Sequence, residues 1–333
     1  MKSNGLERQV AARAVRAILF DSGATDRMLT EDQLDGLSLS EQQLLWIDLL
    51  RPDPDTIARI ASRLSLPEKA ANALQMSDTS PLVQDTGSLF WLHVVAVTHR
   101  DGLRFQGCTL KIVAGTNMVI SAHNEPIDFI DRISLREVGD TELGRLSAAS
   151  FTASLLDWQL STYFEAVAQF EIAVERLEVA VLSDRSENHL DSLRELRKGA
   201  SRLRRMLAPH RTVFAGLSRP DFRPQDDHAV DQHFLSLDSR FERAMDMAEN
   251  ARDLVVGSFE LFSSKTAIAT NDQMRVLTFV TVVLGVLAVL AGIFGMNFDA
   301  SFFHTPEGFW IAVGVMAALL TVALVAGKLK RWM

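Results

Sequence analysis

Toward its C-terminal end the chain carries two long apolar runs, and a backbone inside hydrocarbon must satisfy its own hydrogen bonds, which restricts such runs to helices. Residues 276–298 hold no charged side chain, and at about 1.5 Å per residue they cover the roughly 30 Å hydrocarbon layer with some tilt. Residues 309–327 give a second span, with a short loop, 299–308, between the two. A soluble core hairpin is the bland alternative, but buried helices of this length usually keep a polar face. Arg275 precedes the first span, while Lys328, Lys330 and Arg331 follow the second. The positive-inside rule therefore predicts a multi-pass protein with both termini in the cytoplasm, the loop outside, and residues 328–333 as a basic cytosolic tail.

Only five of the 76 charged side chains lie beyond residue 275. The stretch before it carries 31 Lys and Arg against 40 Asp and Glu, an acidic balance that argues against nucleic acid as a partner and makes cations the natural one. Cys108 is the only cysteine, so no intrachain disulfide framework or thiolate zinc cage exists, and the soluble part reads as cytosolic. The N-terminal residues lack the continuous apolar core of a signal peptide, and no cleavage is expected there. No phosphate-cradling glycine loop, nucleophile elbow or HExxH pattern occurs, so the sequence supports neither an ATP-driven pump nor a hydrolase.

Residues 1–145 read as a cytosolic α/β domain. Runs 17–21, 44–50, 88–98, 103–113 and 118–122 are β-rich, residues 54–64 and 67–76 are helical, and Gly115-Thr116-Asn117 signals a hairpin. Residues 146–225 read as a helical hairpin broken by the polar run 183–188, with Pro209, Pro220 and Pro224 as punctuation. No proline then follows until Pro306, which leaves about 70 residues for one helix on the order of 100 Å long. Its cytosolic half is 226–275, and it continues through the first span.

Two stripes run along that helix. Val230, Phe234, Leu237, Phe241, Met245, Ala248, Val255, Phe259 and Phe262 form an apolar one that predicts packing on a neighbouring helix. The other has no bulky β-branched or aromatic residue. It carries Asp246, Asp253 and Glu260 one heptad apart, then Asn271, Met274, Thr278, Thr281, Gly285, Ala288, Gly292 and Gly295. Two readings fit it. Small residues in a span permit close helix packing; alternatively, several copies around an axis turn the carboxylates into acidic rings above a narrow lumen. A single face kept over seven heptads requires supercoiling. Val276, Phe279, Val280, Val283, Leu284, Leu287 and Leu290 occupy other faces and suit lipid.

Gly295-Met296-Asn297 closes the first span after Gly292-Ile293-Phe294, with Asn271, Met274, Leu277 and Thr278 upstream, a short acidic loop, and a basic Lys-Leu-Lys-Arg-Trp end. Together these resemble the CorA family of divalent-cation transporters, whose members carry Gly-Met-Asn between two C-terminal transmembrane helices. The resemblance implies a funnel-shaped homopentamer in the bacterial inner membrane, with no cofactor beyond a divalent cation as substrate and regulator. An N-terminal α/β domain sits at the rim, the first transmembrane helix lines the pore and the second lies outside. It places Gly295, Met296 and Asn297 at the selectivity filter and Asn271, Met274, Leu277, Thr281, Gly285, Ala288 and Gly292 toward the axis. Met274 and Leu277 form the apolar constriction, and the ions are Mg²⁺, Co²⁺ and Ni²⁺, gated by cytosolic metal. Members commonly carry a mid-span proline and a threonine two residues on, where this chain has Val286 and Ala288; a straighter, less polar pore middle follows. Residues 203–211 are similar to the ZntB branch, which implies Zn²⁺ with or without proton coupling, whereas Met296 points away from that branch, which typically has valine there.

Mg²⁺ holds its octahedral waters tightly, so a ring of Asn297 carbonyls suits the hydrated ion, binding well enough for entry and weakly enough for exit. Asp299 and Glu307, just outside, raise the local cation concentration. Asp227, Asp231 and His233, near Asp226 and His228, offer donors for a regulatory metal between subunits, or plain acidic capping of a helix start. The basic run Arg194, Arg197, Lys198, Arg202, Arg204, Arg205 and Arg211 reads as pairing with neighbouring acids, and His93, His99 and Cys108 as ordinary packing. From another class, the chain also fits a non-conducting two-span sensor or scaffold.

Overall fold

The computed structural model describes residues 14–76, 80–100, 104–136, 142–183, 189–222, 224, 228–296 and 306–329. They fall into two compact units, Met1–Gly257 and Ser258–Met333, taken in turn.

The first unit is built on a seven-stranded sheet of β1 (Val15–Asp21), β2 (Arg27–Leu29), β3 (Gln43–Leu50), β4 (Leu82–Asp85), β5 (Phe90–Arg100), β6 (Arg104–Ala114) and β7 (Met118–His123), in the order β2-β1-β3-β7-β6-β5-β4. Only β3 and β7 pair in parallel; the other neighbours are antiparallel. Buried on both faces, β3 is apolar on both sides rather than alternating, interrupted only by buried Asp48. Leu45, Ile47 and Leu49 join Ile57 and Ile60 of α1 (Pro54–Arg63) and Ala73 and Leu74 of α2 (Glu68–Gln75) in one core. On the opposite face Trp46 meets Phe20 and Phe151 with ring centroids 6.5 and 5.5 Å away. Helix α1 starts where Asp53 accepts a 2.6 Å hydrogen bond from the Thr56 amide and Pro54 fills the first turn. The expected hairpin is present: Gly115 N–H donates to Met118 O at 2.8 Å, between β6 and β7.

The remaining helices are α3 (Asp128–Arg136), α4 (Ala148–Ser183), α5 (Leu190–Leu207), α6 (Arg211–Leu217), α7 (His228–Phe294) and α8 (Pro306–Leu329). The apolar stripe of α7 is buried from Val230 through Val255. There Phe241 stacks on Phe214 at 5.1 Å and Phe234 meets Phe222 edge-on at 5.6 Å. Phe259, expected to pack, is exposed, so the stripe outruns its cover.

Strand β4 is short and pairs with β5 only from Phe90 to His93, which leaves polar backbone groups of β5 without a strand neighbour. Helical side chains fill the gap. Val95 N–H donates to His210 Nε2 at 2.8 Å and Val97 N–H to Thr162 Oγ1 at 2.9 Å, while Val95 O accepts from Gln159 Nε2 at 2.6 Å and Tyr163 O–H at 3.0 Å. A sheet edge closed this way offers no template for further pairing.

Because Nε2 of His210 accepts, Nδ1 carries the ring proton and donates to Leu207 O at 3.0 Å. Burial pushes the His210 pKa down to about 4. The unfolded chain then binds a proton near pH 6.5 that the folded one refuses, so this contribution to stability is present above that pH and lost as pH falls toward 4, about 3 kcal/mol in all. Hydrogen exchange in residues 90–100 is expected to lose protection between pH 6.5 and 4.5 after correction for intrinsic rates. Unchanged protection over that interval would contradict the assignment.

In the second unit, two helical stretches are long and apolar enough to cross a membrane. The first ends at Phe294, and Gly295 N–H to Ala291 O, 2.9 Å, with Met296 N–H to Ile293 O, 3.2 Å, closes its last turn. Helix α8 begins at Pro306, inside the residues read as loop, because proline lacks the N–H that a first turn leaves unpaired and presets its φ.

Candidate ion pathway

Within α7, Asn271, Met274, Leu277, Thr278, Thr281, Gly285, Ala288 and Gly292 are all exposed. Phe279, Val283, Leu287, Leu290 and Phe294 are half-buried, and at 3.6 residues per turn this row lies on the side of the helix opposite Thr281, Gly285, Ala288 and Gly292. The cover is real rather than self-shading, since Leu284 is 59% exposed on the same helix. A matching row on α8 comprises Gly308, Ala312, Val313, Met316, Ala323 and Gly327, each buried or half-buried. The expectation that Phe279, Val283, Leu287 and Leu290 face lipid is thereby corrected: they belong to the covered side.

The glycines discriminate further. A Cβ built on Gly257, Gly285 or Gly292 meets nothing within 4 Å, so no helix of the same chain packs closely against these residues. Of the readings of the small stripe, close packing within the same chain is excluded, and what remains is lipid, another copy or a lumen. Thr281 bonds its hydroxyl to Leu277 O at 2.8 Å, which satisfies its proton within the helix while leaving lone pairs outward.

Further along α7 the acidic residues divide by face. Glu242 and Glu249 flank the packed side and are paired, Glu242 with Arg211 at 3.0 Å and Glu249 with Arg204 at 3.3 Å. Asp246, Asp253 and Glu260 are exposed and make no ion pair among the described residues. A heptad is about 10 Å of helix, and among the described residues no three His, Cys, Asp or Glu side chains come together as a metal group. A metal held by these carboxylates therefore needs a second copy of the chain.

Asn297, Asp299, Asp227 and the side chain of Asp231 lie outside the described residues. His233 lines a cleft of about 240 Å³ with Ser154, Asp157 and Trp158, where Asp157 is already engaged by Arg240 Nε at 3.0 Å. Glu307 is exposed in the first turn of α8, where its charge suits the helix N-terminus. The basic run pairs partly within α5, Arg194 with Asp191 at 3.1 Å and Lys198 with Glu195 at 2.8 Å, and partly across to α7. His93 is buried with Nε2 2.9 Å from Ala73 O. Burial pushes the Cys108 thiol up and keeps it protonated.

Comparison with known proteins places this geometry. The profile of the family described as CorA-like Mg²⁺ transporter protein matches residues 41–331. The cobalt/magnesium transport protein CorA of Methanocaldococcus jannaschii is 22% identical over 314 residues, covering 93% of this chain and 98% of its own. The solved CorA magnesium transporter of that organism superposes with a TM-score of 0.74 at 20% identity, over 95% of this chain and 98% of its own. The ZntB cytoplasmic domain of Vibrio parahaemolyticus aligns with a TM-score of 0.59 at 12% identity, over 77% of this chain and 99% of its own. With the match running from the first unit through both apolar helices, the chain belongs to the CorA-like Mg²⁺ transporter family, a membrane transporter and not an enzyme.

Proposed function

We propose that this chain conducts divalent cations, Mg²⁺ with Co²⁺ and Ni²⁺, through a homopentameric pore lined by α7 in the bacterial inner membrane, with both termini cytoplasmic. The observation that carries the reading is the small, exposed stripe on α7, opposite the covered row and with open space at its glycines. Five such faces around an axis make a narrow wet lumen with Met274 and Leu277 as its apolar constriction and Gly295, Met296 and Asn297 at the outer mouth. A hydrated ion loses fewer waters there than in an all-protein cage. Asp299 and Glu307 enrich cations outside. A doubly charged ion moving inward gains roughly 4.6 kcal/mol per 100 mV of inside-negative potential. Cytosolic metal held between copies by Asp246, Asp253 and Glu260, or by Asp227, Asp231 and His233, keeps the assembly closed, and its loss frees the pore to open.

A ZntB-like Zn²⁺ transporter is the second reading, favoured by the fold likeness of the ZntB cytoplasmic domain. One assay separates the readings. Purified protein in liposomes with an entrapped metal dye is offered Mg²⁺, Co²⁺, Ni²⁺ or Zn²⁺, with and without a proton gradient, and with chelator or metal on the cytosolic side. The proposal predicts Mg²⁺ entry that rises with inside-negative potential and slows with cytosolic metal. Zinc entry alone supports the second reading, and no entry of any ion identifies a scaffold.

A further inference from the structure

A buried charged network in the first unit takes no part in the ion pathway. His123 ends β7 and is buried, with Nδ1 2.6 Å from Glu125 O and Nε2 3.2 Å from Asp48 Oδ1. Both neighbours are acceptors. A neutral imidazole has one N–H, so it would set a lone pair against a lone pair at one of these contacts; only the doubly protonated ring donates to both. We propose that His123 is a proton-held latch, an imidazolium that fastens the β7–α3 connection to the centre of the sheet and releases it when the proton leaves.

The surroundings are arranged for a cation. Asp48 Oδ2 accepts from Arg16 Nε at 3.1 Å and Nη2 at 2.5 Å, and Oδ1 also accepts from Ser121 Oγ at 2.6 Å, a hydroxyl fixed in turn by Trp46 Nε1 at 3.0 Å. Arg16 Nη1 reaches Asp131 of α3 at 2.6 Å. Two positive and two negative groups thus balance while His123 is charged; when it is not, the network of buried Arg16 and Asp48 with half-buried Asp131 carries one net negative charge. From β6, Cys108 Sγ lies 3.5 Å from Glu125 O and Gln106 Nε2 lies 3.3 Å from the Glu125 carboxylate. Arg51 holds the same connection through Asn124 O at 3.0 Å. Lys111, in register with Ala122, directs its ammonium elsewhere, to Leu74 O and Met76 O.

Burial opposes the charge on His123, but the Asp48 carboxylate outweighs it and raises the pKa above the ordinary value. A group raised in the folded state stabilises most below about pH 6.5, and that contribution is lost as pH climbs through the folded pKa. Release is therefore alkaline. The freed segment walls a cleft of about 530 Å³ against α4, with Asp128 and Arg132 on one side and Thr162 and Glu165 on the other.

Hydrogen exchange of the full-length protein from about pH 6 to about 9, corrected for intrinsic rates, tests the latch through residues 124–136, where protection is expected to fall about tenfold or more on the alkaline side. His123→Gln should show low protection with no step, and Cys108→Ser should keep the step, which separates the imidazole from the thiol. Constant protection in the wild type, or a step surviving in His123→Gln, would overturn the proposal. If His123→Gln does not fold, the wild type decides. Loss confined to residues 124–136 while residues 43–50 stay protected supports the latch, and equal loss in both segments refutes it.

Discussion

Gly285→Leu is expected to lower cation entry into liposomes by roughly 100-fold or more, because apolar rings in a narrow pore close it by dewetting. Gly285 lies on the exposed stripe, and a Cβ added there meets nothing within 4 Å in its own chain, so a side chain can start there without a clash in the protomer. Helix propensity favours it too, by about 0.8 kcal/mol relative to glycine. The effect therefore arises only from assembly, where the proposed pentamer would bring five isobutyl groups to one level of the axis. Val286→Leu places the same isobutyl group one residue on, on another exposed side of α7, and should leave flux near wild type. Loss in both variants, or in neither, contradicts the assigned lumen.

Asn297→Ala should be nearly as damaging. In the proposed pore, the carboxamide whose carbonyl would accept from water around the ion is removed from every copy, leaving only the β-methyl. At about 1 kcal/mol per hydrogen bond, three such contacts weaken ion binding at the mouth by roughly 100-fold. The deficit should show as a rightward shift in the external Mg²⁺ concentration needed for half-maximal entry, with protein amount and oligomer mass unchanged. An unaltered concentration dependence would remove Asn297 from the filter.

How much of this was legible in the sequence follows from where each signal resides. β3 and β7 were readable because central strands are apolar on both faces, and their expected limits differ from the observed ones by a residue. β2 and β4 were not, since three- and four-residue edge strands containing Arg27, Gln84 and Asp85 are too short to show alternation. The small stripe was visible as a row, but periodicity alone does not tell a lumen from a helix contact; the open space at Gly285 and Gly292 excludes the intrachain contact. Phe279, Val283, Leu287 and Leu290 read as lipid-facing in the sequence because lipid tails and helix neighbours are equally apolar, and hydropathy does not separate them. The Arg16–Asp48–His123 network was missed altogether. It unites single polar residues from three apolar strands, with Asp48 and His123 separated by 75 positions, and only strand order brings them together.

The central claim, that copies of α7 turn Thr281, Gly285, Ala288 and Gly292 toward water, is tested most directly by thiol accessibility. Cys108 is buried and is the only native cysteine, so the background is silent. Thr281→Cys, Ala288→Cys and Gly292→Cys should each react with a charged, membrane-impermeant thiol reagent in the reconstituted protein and lose flux on reaction, whereas Leu287→Cys and Leu290→Cys should stay inert. Inert stripe positions, or equal reactivity on both sides of the helix, would show that no aqueous lumen runs along that face.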